Sequence, residues 1–212
     1  SNWAKRAGAS VKMGALYNLS QSVKLYANAA YYTRAPYANV FFSNGNNSIS
    51  RDIVNEKNYL SEIGVRKIGR KYGAEATVYV AYWKDKTLLS APYKSIDEDP
   101  FKYMVKGLDA LHYGLEIDMF YKPVKYVRID AYASLGDWRW KNDVSTTLYN
   151  PDTMRPEGEI KVYVDGLHVG DAPQTQIGAS VELTLSKGIS IQADWNFNDR
   201  LWADFDPVSR TS

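Results

Sequence analysis

Apolar residues recur at every second position along most of this chain, and that spacing limits what it can fold into. Successive side chains of an extended strand point to opposite faces, so a period of two marks a strand with one apolar and one polar side. Val11, Met13, Ala15, Tyr17 and Leu19 alternate with Ser10, Lys12, Gly14 and Asn18, and Val23, Leu25, Ala27, Ala29 and Tyr31 with Lys24, Tyr26, Asn28, Tyr32 and Arg34. A helix through Val23 would bring Tyr26 and Ala27 to its side and mix Lys24 and Asn28 into the same face. Six further segments, around Ile63, Val78, Ile117, Ile129, Val181 and Ile191, repeat the alternation. The expected fold class is all-β, an antiparallel up-and-down meander of about eight strands with no helix longer than a few turns.

The links between strands alternate as strictly as the residues within them. Ser20-Gln21-Ser22, Arg70-Lys71-Tyr72, Lys122-Pro123-Val124-Lys125 and Lys187-Gly188 read as tight turns closing four hairpins over 9–33, 58–85, 109–141 and 175–200. Between the hairpins run long stretches, Thr33 to Asn58, Lys86 to Asp109 and Asn142 to Gln174. Compact soluble domains rarely carry three such loops. Outer-membrane barrels have short turns on one side and long loops on the other by construction. The whole of 1–212 is therefore expected to be one segment of a transmembrane β-barrel. A soluble sandwich with the aliphatic face as its core shares the alternation, and the asymmetry of the links favours the membrane.

The two faces agree with a bilayer. On the apolar side the strand middles are aliphatic or Ala, while Tyr17, Tyr31, Tyr82, Tyr113, Tyr121 and Phe197 lie toward strand ends, as in the interfacial girdles of a barrel. Lys24, Glu62, Arg66, Glu75, Glu116, Asp118, Arg128, Asp130, Glu182 and Asp194 occupy the other side, and a packed core does not hold ten charges of both signs. Leu115, Ile117, Val127, Ile129, Ala131, Val181 and Ile191 are thus predicted to share one surface. Arginine at Ile129 is predicted to cost membrane assembly about 2 to 4 kcal/mol, the price near a bilayer midplane.

Composition removes other classes. With 26 Lys plus Arg against 24 Asp plus Glu, the net charge of +2 is too small for a nucleic-acid footprint or a polybasic anchor. The absence of cysteine excludes a disulfide scaffold, a Cys-based zinc site, an iron–sulfur cluster and thiol catalysis. No apolar run approaches the 18 or so residues of a transmembrane helix, and Ser1-Asn2-Trp3-Ala4-Lys5 has no signal-peptide architecture.

Catalytic constellations are equally sparse, and no enzyme activity, metal site or cofactor is expected. His112 and Glu116 share one strand face, but two ligands make no zinc site. His168 lies in a long link without a second His nearby, and no Gly-x-Ser-x-Gly elbow occurs. Asp97-Glu98-Asp99 and the pair Asp204 and Asp206 read as solvated loop charge, without the spacing of a calcium loop. The candidates for ligand contact are aromatic: Tyr37, Phe41 and Phe42 after Arg34-Ala35-Pro36, and Trp138 and Trp140 flanking Arg139. Aromatic faces stack on sugar rings or planar chelates, and Arg answers anionic groups. A girdle or loop-packing role is the competing reading for each of them.

Several runs resemble the barrel region of TonB-dependent outer-membrane receptors. They are Gly107-Leu108-Asp109-Ala110-Leu111-His112-Tyr113-Gly114-Leu115-Glu116, Ser134-Leu135-Gly136-Asp137-Trp138-Arg139-Trp140, Val169-Gly170-Asp171-Ala172-Pro173-Gln174-Thr175, Ala203-Asp204-Phe205-Asp206-Pro207 and Tyr32-Thr33-Arg34-Ala35-Pro36-Tyr37. The resemblance implies a 22-stranded barrel in the outer membrane of a Gram-negative bacterium, filled by a plug domain. Such a barrel imports an iron chelate, cobalamin or a glycan with energy from the TonB complex. No plug and no TonB box is recognisable here, and the chain ends Val208-Ser209-Arg210-Thr211-Ser212 rather than on an aromatic-terminated strand. It is expected to be a middle-to-late piece of the barrel, whose partners are lipid, its own plug, the TonB complex and a small-molecule or glycan ligand, with no nucleic acid. The alternative is a self-contained small outer-membrane barrel with an adhesive or structural role.

Overall fold

A computed structural model describes residues 3, 5–42, 53–89, 94–96, 99–150, 152–153, 155–186 and 188–205. They form β1 (Ser10–Asn18), β2 (Val23–Arg34), α1 (Ala38–Phe41), β3 (Glu56–Ile68), β4 (Tyr72–Leu89), β5 (Lys94–Ile96), β6 (Asp99–Tyr121), β7 (Val127–Trp140), β8 (Val144–Tyr149), β9 (Pro156–Val162), β10 (Pro173–Ser186) and β11 (Ile189–Leu201). Eight strands lie side by side in the order β1-β2-β3-β4-β6-β7-β10-β11, the antiparallel meander that the alternation predicts. The other three occupy stretches expected to be loops. β5 pairs with the first residues of β6, and β8 pairs with both β6 and β9. β4 and β6 also run beyond the expected hairpin ends, because pairing the two strands satisfies backbone groups that a loop would leave to water. Among the described residues β1 and β11 are the two edges of an open sheet.

Register settles the faces, since partners across a ladder share a side. Leu115 stands opposite Leu135, Ile117 opposite Ala133, Ile129 opposite Val181, and Leu183 opposite both Val127 and Ile191. On the other face Arg128 stands opposite Glu182, while Ser180 stands between Asp130 and Asp194. A sandwich would bury the aliphatic side against a second sheet. Here Val11 is 58% exposed, Ile63 69%, Val78 61% and Ile191 55%, so no protein layer covers it among the described residues. A row of rings, Tyr31, Tyr59 and Tyr82, crosses that face toward the long-link end, with neighbouring centroids 5.1 and 6.5 Å apart.

The buried core therefore sits at the end of the sheet with the long links, which we call the mouth, rather than between layers. Val105, Leu108, Ala110, Trp140, Leu148, Val162, Val164 and Val169 pack there, and Val40, Phe41, Ile53 and Met104 form a second cluster. A bulge shapes the mouth. Asp85 takes a left-handed φ of 60° and Gly107 one of 77°, and the β4–β6 register slips between Trp83 and Lys86. Asp85 is held by an ion pair with Lys57 at 2.5 Å and by its N–H, which donates to Asp109 Oδ1 at 3.1 Å. Asn142 closes the belt, accepting from the Asp109 N–H and donating to the Gly107 carbonyl. The extra residue inverts the alternation beyond it, so Lys86 turns to the same face as Trp83.

The turn after β7 depends on Asp143, which lies beyond the main strands. Its carboxylate accepts from the Asp165 and Val164 amides. Those bonds, the Asp165 amide foremost, and the charge of Lys161 hold its pKa below the ordinary 3.8 despite a desolvation cost. A depressed carboxylate stabilises its partners above its unfolded pKa and stops doing so as pH falls through the folded value. The amide proton shifts of Val164 and Asp165 should move together on acidification with a midpoint below 3.8, and Asp143→Ala should abolish the transition. A midpoint at or above that value contradicts the assignment.

Candidate functional site

Four strand residues at the mouth converge on the charged face. His112 stands opposite Trp138 and Ala81, and Ala110 stands opposite Trp140 and Trp83. The His112 ring lies 4.1 Å from that of Trp83 and 5.6 Å from that of Trp138. Trp138 Nε1 donates to Tyr79 Oη at 2.9 Å. Two glycines allow this pair to lie flat along the sheet: a Cβ on Gly114 would come within 2.6 Å of Tyr79 Oη, and one on Gly136 within 2.5 Å of Trp138 Nε1. Lys86, turned inward by the bulge, holds its ammonium 4.2 Å from the Trp83 ring centroid and 5.9 Å from that of Trp140, a cation–π arrangement.

The far wall comes from the link before β10. Buried Gln174, at the start of β10, donates to the Trp138 and Val169 carbonyls and accepts from the Trp138 N–H, which ties β10 and the link before it to β7. His168 stacks parallel on Trp202 with centroids 4.2 Å apart. A hollow of about 470 Å3, open to solvent, lies here, lined by Trp83, His112, Trp138 and Trp140 from the strands and by Gly170, Asp171, Ala172 and Asp204 from the links. His112 is 6% exposed and packs against the Ala81 backbone, and its ring nitrogens have no side-chain hydrogen-bond partner among the described residues. Trp140 is 2% exposed, and its Nε1 has no hydrogen-bond partner among the described residues.

A second hollow of about 500 Å3 lies on the same face toward the short turns, bordered by Arg66, Glu75, Phe120, Arg128, Asp130 and Tyr132. Much of its polar lining is already engaged. Arg66 grips Glu75 with two hydrogen bonds of 2.6 and 2.8 Å, Arg128 grips Asp130 likewise, and Tyr132 donates to Asn196. Groups satisfied by one another stiffen a wall, whereas unsatisfied buried ones call for a partner. The mouth cavity is therefore the candidate site.

The structure distributes the expected contact residues unevenly. Trp138 and Trp140 both line the cavity. Arg139, between them, points to the opposite face, where it bonds Asp137 Oδ1 at 2.9 Å and the Gly166 carbonyl at 3.0 Å. Arg34 pairs with Glu56 at 2.6 Å and covers the Tyr37 ring. Phe41 is buried in the second core cluster with Phe42 packed against it. Of the acidic run, Asp97 and Glu98 lie outside the described residues, as does Asp206. No group of three metal-ligating side chains occurs among the described residues. Sequence reasoning passed over Trp83, Lys86 and Asp171 as site residues. A Trp on the polar face of a strand, where Trp83 falls, was the available signal.

Comparison with known proteins adds the fold. No family model and no curated protein matches the chain. Among solved structures it superposes on one described as "Copper transporter OprC" with a TM-score of 0.52 and 17% identity, over 86% of this chain and 32% of that one. The likeness is one of fold, and the chain spans about a third of that structure's length.

Proposed function

We propose that this chain is an arc of the outer-membrane β-barrel of a TonB-dependent receptor that imports a small ligand. The observation that carries the proposal is the exposed aliphatic face backed by a charged one, on a meander with short turns at one end and long links at the other. Lipid covers such a face without a second protein layer, and a water-filled lumen accommodates the charges. The likeness to a transporter's structure supports the same reading. The adhesive small barrel would need β1 and β11 to close on each other, and they share no ladder among the described residues. Unpaired edges cannot remain in hydrocarbon, so neighbouring strands of a wider barrel complete the arc.

The test is to express the full-length protein and fractionate the cell envelope. It should sediment with the outer membrane, migrate faster unheated than boiled in detergent gels, and take up ligand only when the inner membrane is energised. Recovery in the soluble fraction overturns the barrel. Uptake that persists after dissipating the proton gradient overturns the energy coupling.

A further inference from the structure

We infer that the short-turn rim of the sheet binds the anionic headgroups of membrane phospholipids. The inference rests on the barrel reading, because only a chain seated in a bilayer holds its turns at headgroup level. The rim is basic throughout. The stretches 17–23, 67–73, 121–127 and 185–189, which contain the four short turns, carry Lys67, Arg70, Lys71, Lys122, Lys125 and Lys187 and no Asp or Glu. A chain with 26 basic and 24 acidic residues mixes the two signs elsewhere, as at the mouth, where Lys57 pairs with Asp85 and Arg139 with Asp137.

Backbone bonds set the turns side by side. The Ile68 N–H donates to the Ser22 carbonyl, the Lys122 N–H to that of Lys71 at 2.6 Å, and the Thr184 N–H to that of Tyr126 at 2.8 Å. Lys67, Arg70, Lys71 and Lys125 are exposed, and none has an ion-pair partner among the described residues. Lys122 turns to the charged face, where its ammonium lies 5.8 Å from the Phe120 ring centroid, and Lys187 lies outside the described residues. Four like charges along one rim repel one another, and a layer of anions relieves that repulsion.

Two features favour lipid phosphate over other anions. The rim borders the exposed aliphatic face, with Lys67 opposite Val23 and Ala74, and Tyr72 opposite Tyr121, which in turn stands opposite Ile129. Tyr72, Tyr121 and Tyr126 are each about half exposed at this border, and Tyr at the end of an apolar band sits at headgroup level. Cations also stand over these rings, the Lys67 ammonium 5.0 Å from the Tyr72 centroid and that of Lys125 4.6 Å from the Tyr126 centroid. An aliphatic stem laid along apolar surface with its charge at the outer end lets a lysine reach from hydrocarbon to phosphate. Clusters of about four or more such charges beside a membrane select anionic lipids. A soluble acidic partner requires neither the aromatic band nor the aliphatic border.

The test uses the full-length protein in neutral detergent, titrated with phosphatidylglycerol or phosphatidylcholine of the same acyl chains while bound lipids are counted by native mass spectrometry. Phosphatidylglycerol should bind about tenfold more tightly, and the preference should fall to about twofold when Lys67→Gln, Arg70→Gln, Lys71→Gln and Lys125→Gln are combined. Arg70→Gln with Lys71→Gln, confined to one exposed turn, should retain about a fourfold preference and decides the matter where the fourfold variant does not fold. Lys84→Gln with Lys161→Gln, at the mouth end, should leave the preference unchanged. Heat-shifted gel mobility reports whether each protein has formed its barrel. A formed barrel without the preference, or one whose preference survives these rim substitutions, overturns the inference and leaves the barrel standing. Displacement of the lipid by millimolar inorganic phosphate overturns the lipid as the source of the anion. Saturable binding of polyglutamate without any preference for phosphatidylglycerol overturns it in favour of an acidic protein segment. A protein without heat-shifted mobility fails the barrel reading itself.

Discussion

Arginine in place of Ile117 is expected to weaken assembly of the full-length barrel by about 2 to 4 kcal/mol, the cost of a cation on the lipid side near the midplane. Tyr113 and Tyr121 lie on the same face of β6, four residues to either side of Ile117. The nine residues from Tyr113 to Tyr121 match a tilted spanning strand of about 9 to 11. This moves the expectation attached to Ile129, which is the third residue of β7 and close to its short turn. There the cost should fall to about 0 to 1 kcal/mol. Ser134→Arg is the control, on the charged face opposite Glu116, where a surface-type pair changes stability by about 0.5 kcal/mol or less. Folding into lipid vesicles from urea measures all three. Equal yields for Ile117→Arg and Ser134→Arg would remove the lipid from this account.

Trp140→Ala should be costlier still, about 3 to 5 kcal/mol, because it empties the centre of the main core cluster. The Trp140 ring meets Phe205 edge-on at 5.8 Å, and its backbone N–H and C=O bond Leu167 and Gly166. The loss should fall on the mouth. Hydrogen exchange should show β8, β9 and the 163–170 link losing protection while β10 and β11 keep theirs, since most of their pairing lies outside that cluster. A uniform loss along the whole sheet, or none, would show that the cluster does not form a separate cooperative layer.

The two substitutions probe opposite ends of what the chain encodes openly. Strand direction, face assignment and the eight-strand path were legible, because a period of two maps directly onto an extended backbone and a two-residue turn admits little but a hairpin. The alternation around Ile117, Ile129 and Ile191 needs no partner to be read. The contact residues were less legible. Trp138 and Trp140 line the mouth hollow, whereas alternation sends Arg139, read with them as a ligand contact, to the other side.

The sequence by itself determined that this protein is a meander with an aliphatic and a charged face, since both follow from residue order at a separation of one or two. Only the tertiary structure decided what stands at the mouth. The bulge at Asp85 turns Lys86 inward, and it exists because Lys57, Asp109 and Asn142, on three other strands or links, complete its hydrogen bonds. The meeting of Trp83, His112 and Trp138 likewise depends on the register of three strands, with Gly114 and Gly136 leaving room beside Tyr79. Contacts made across such separations depend on chain closure and packing, and no local pattern in the sequence carries them.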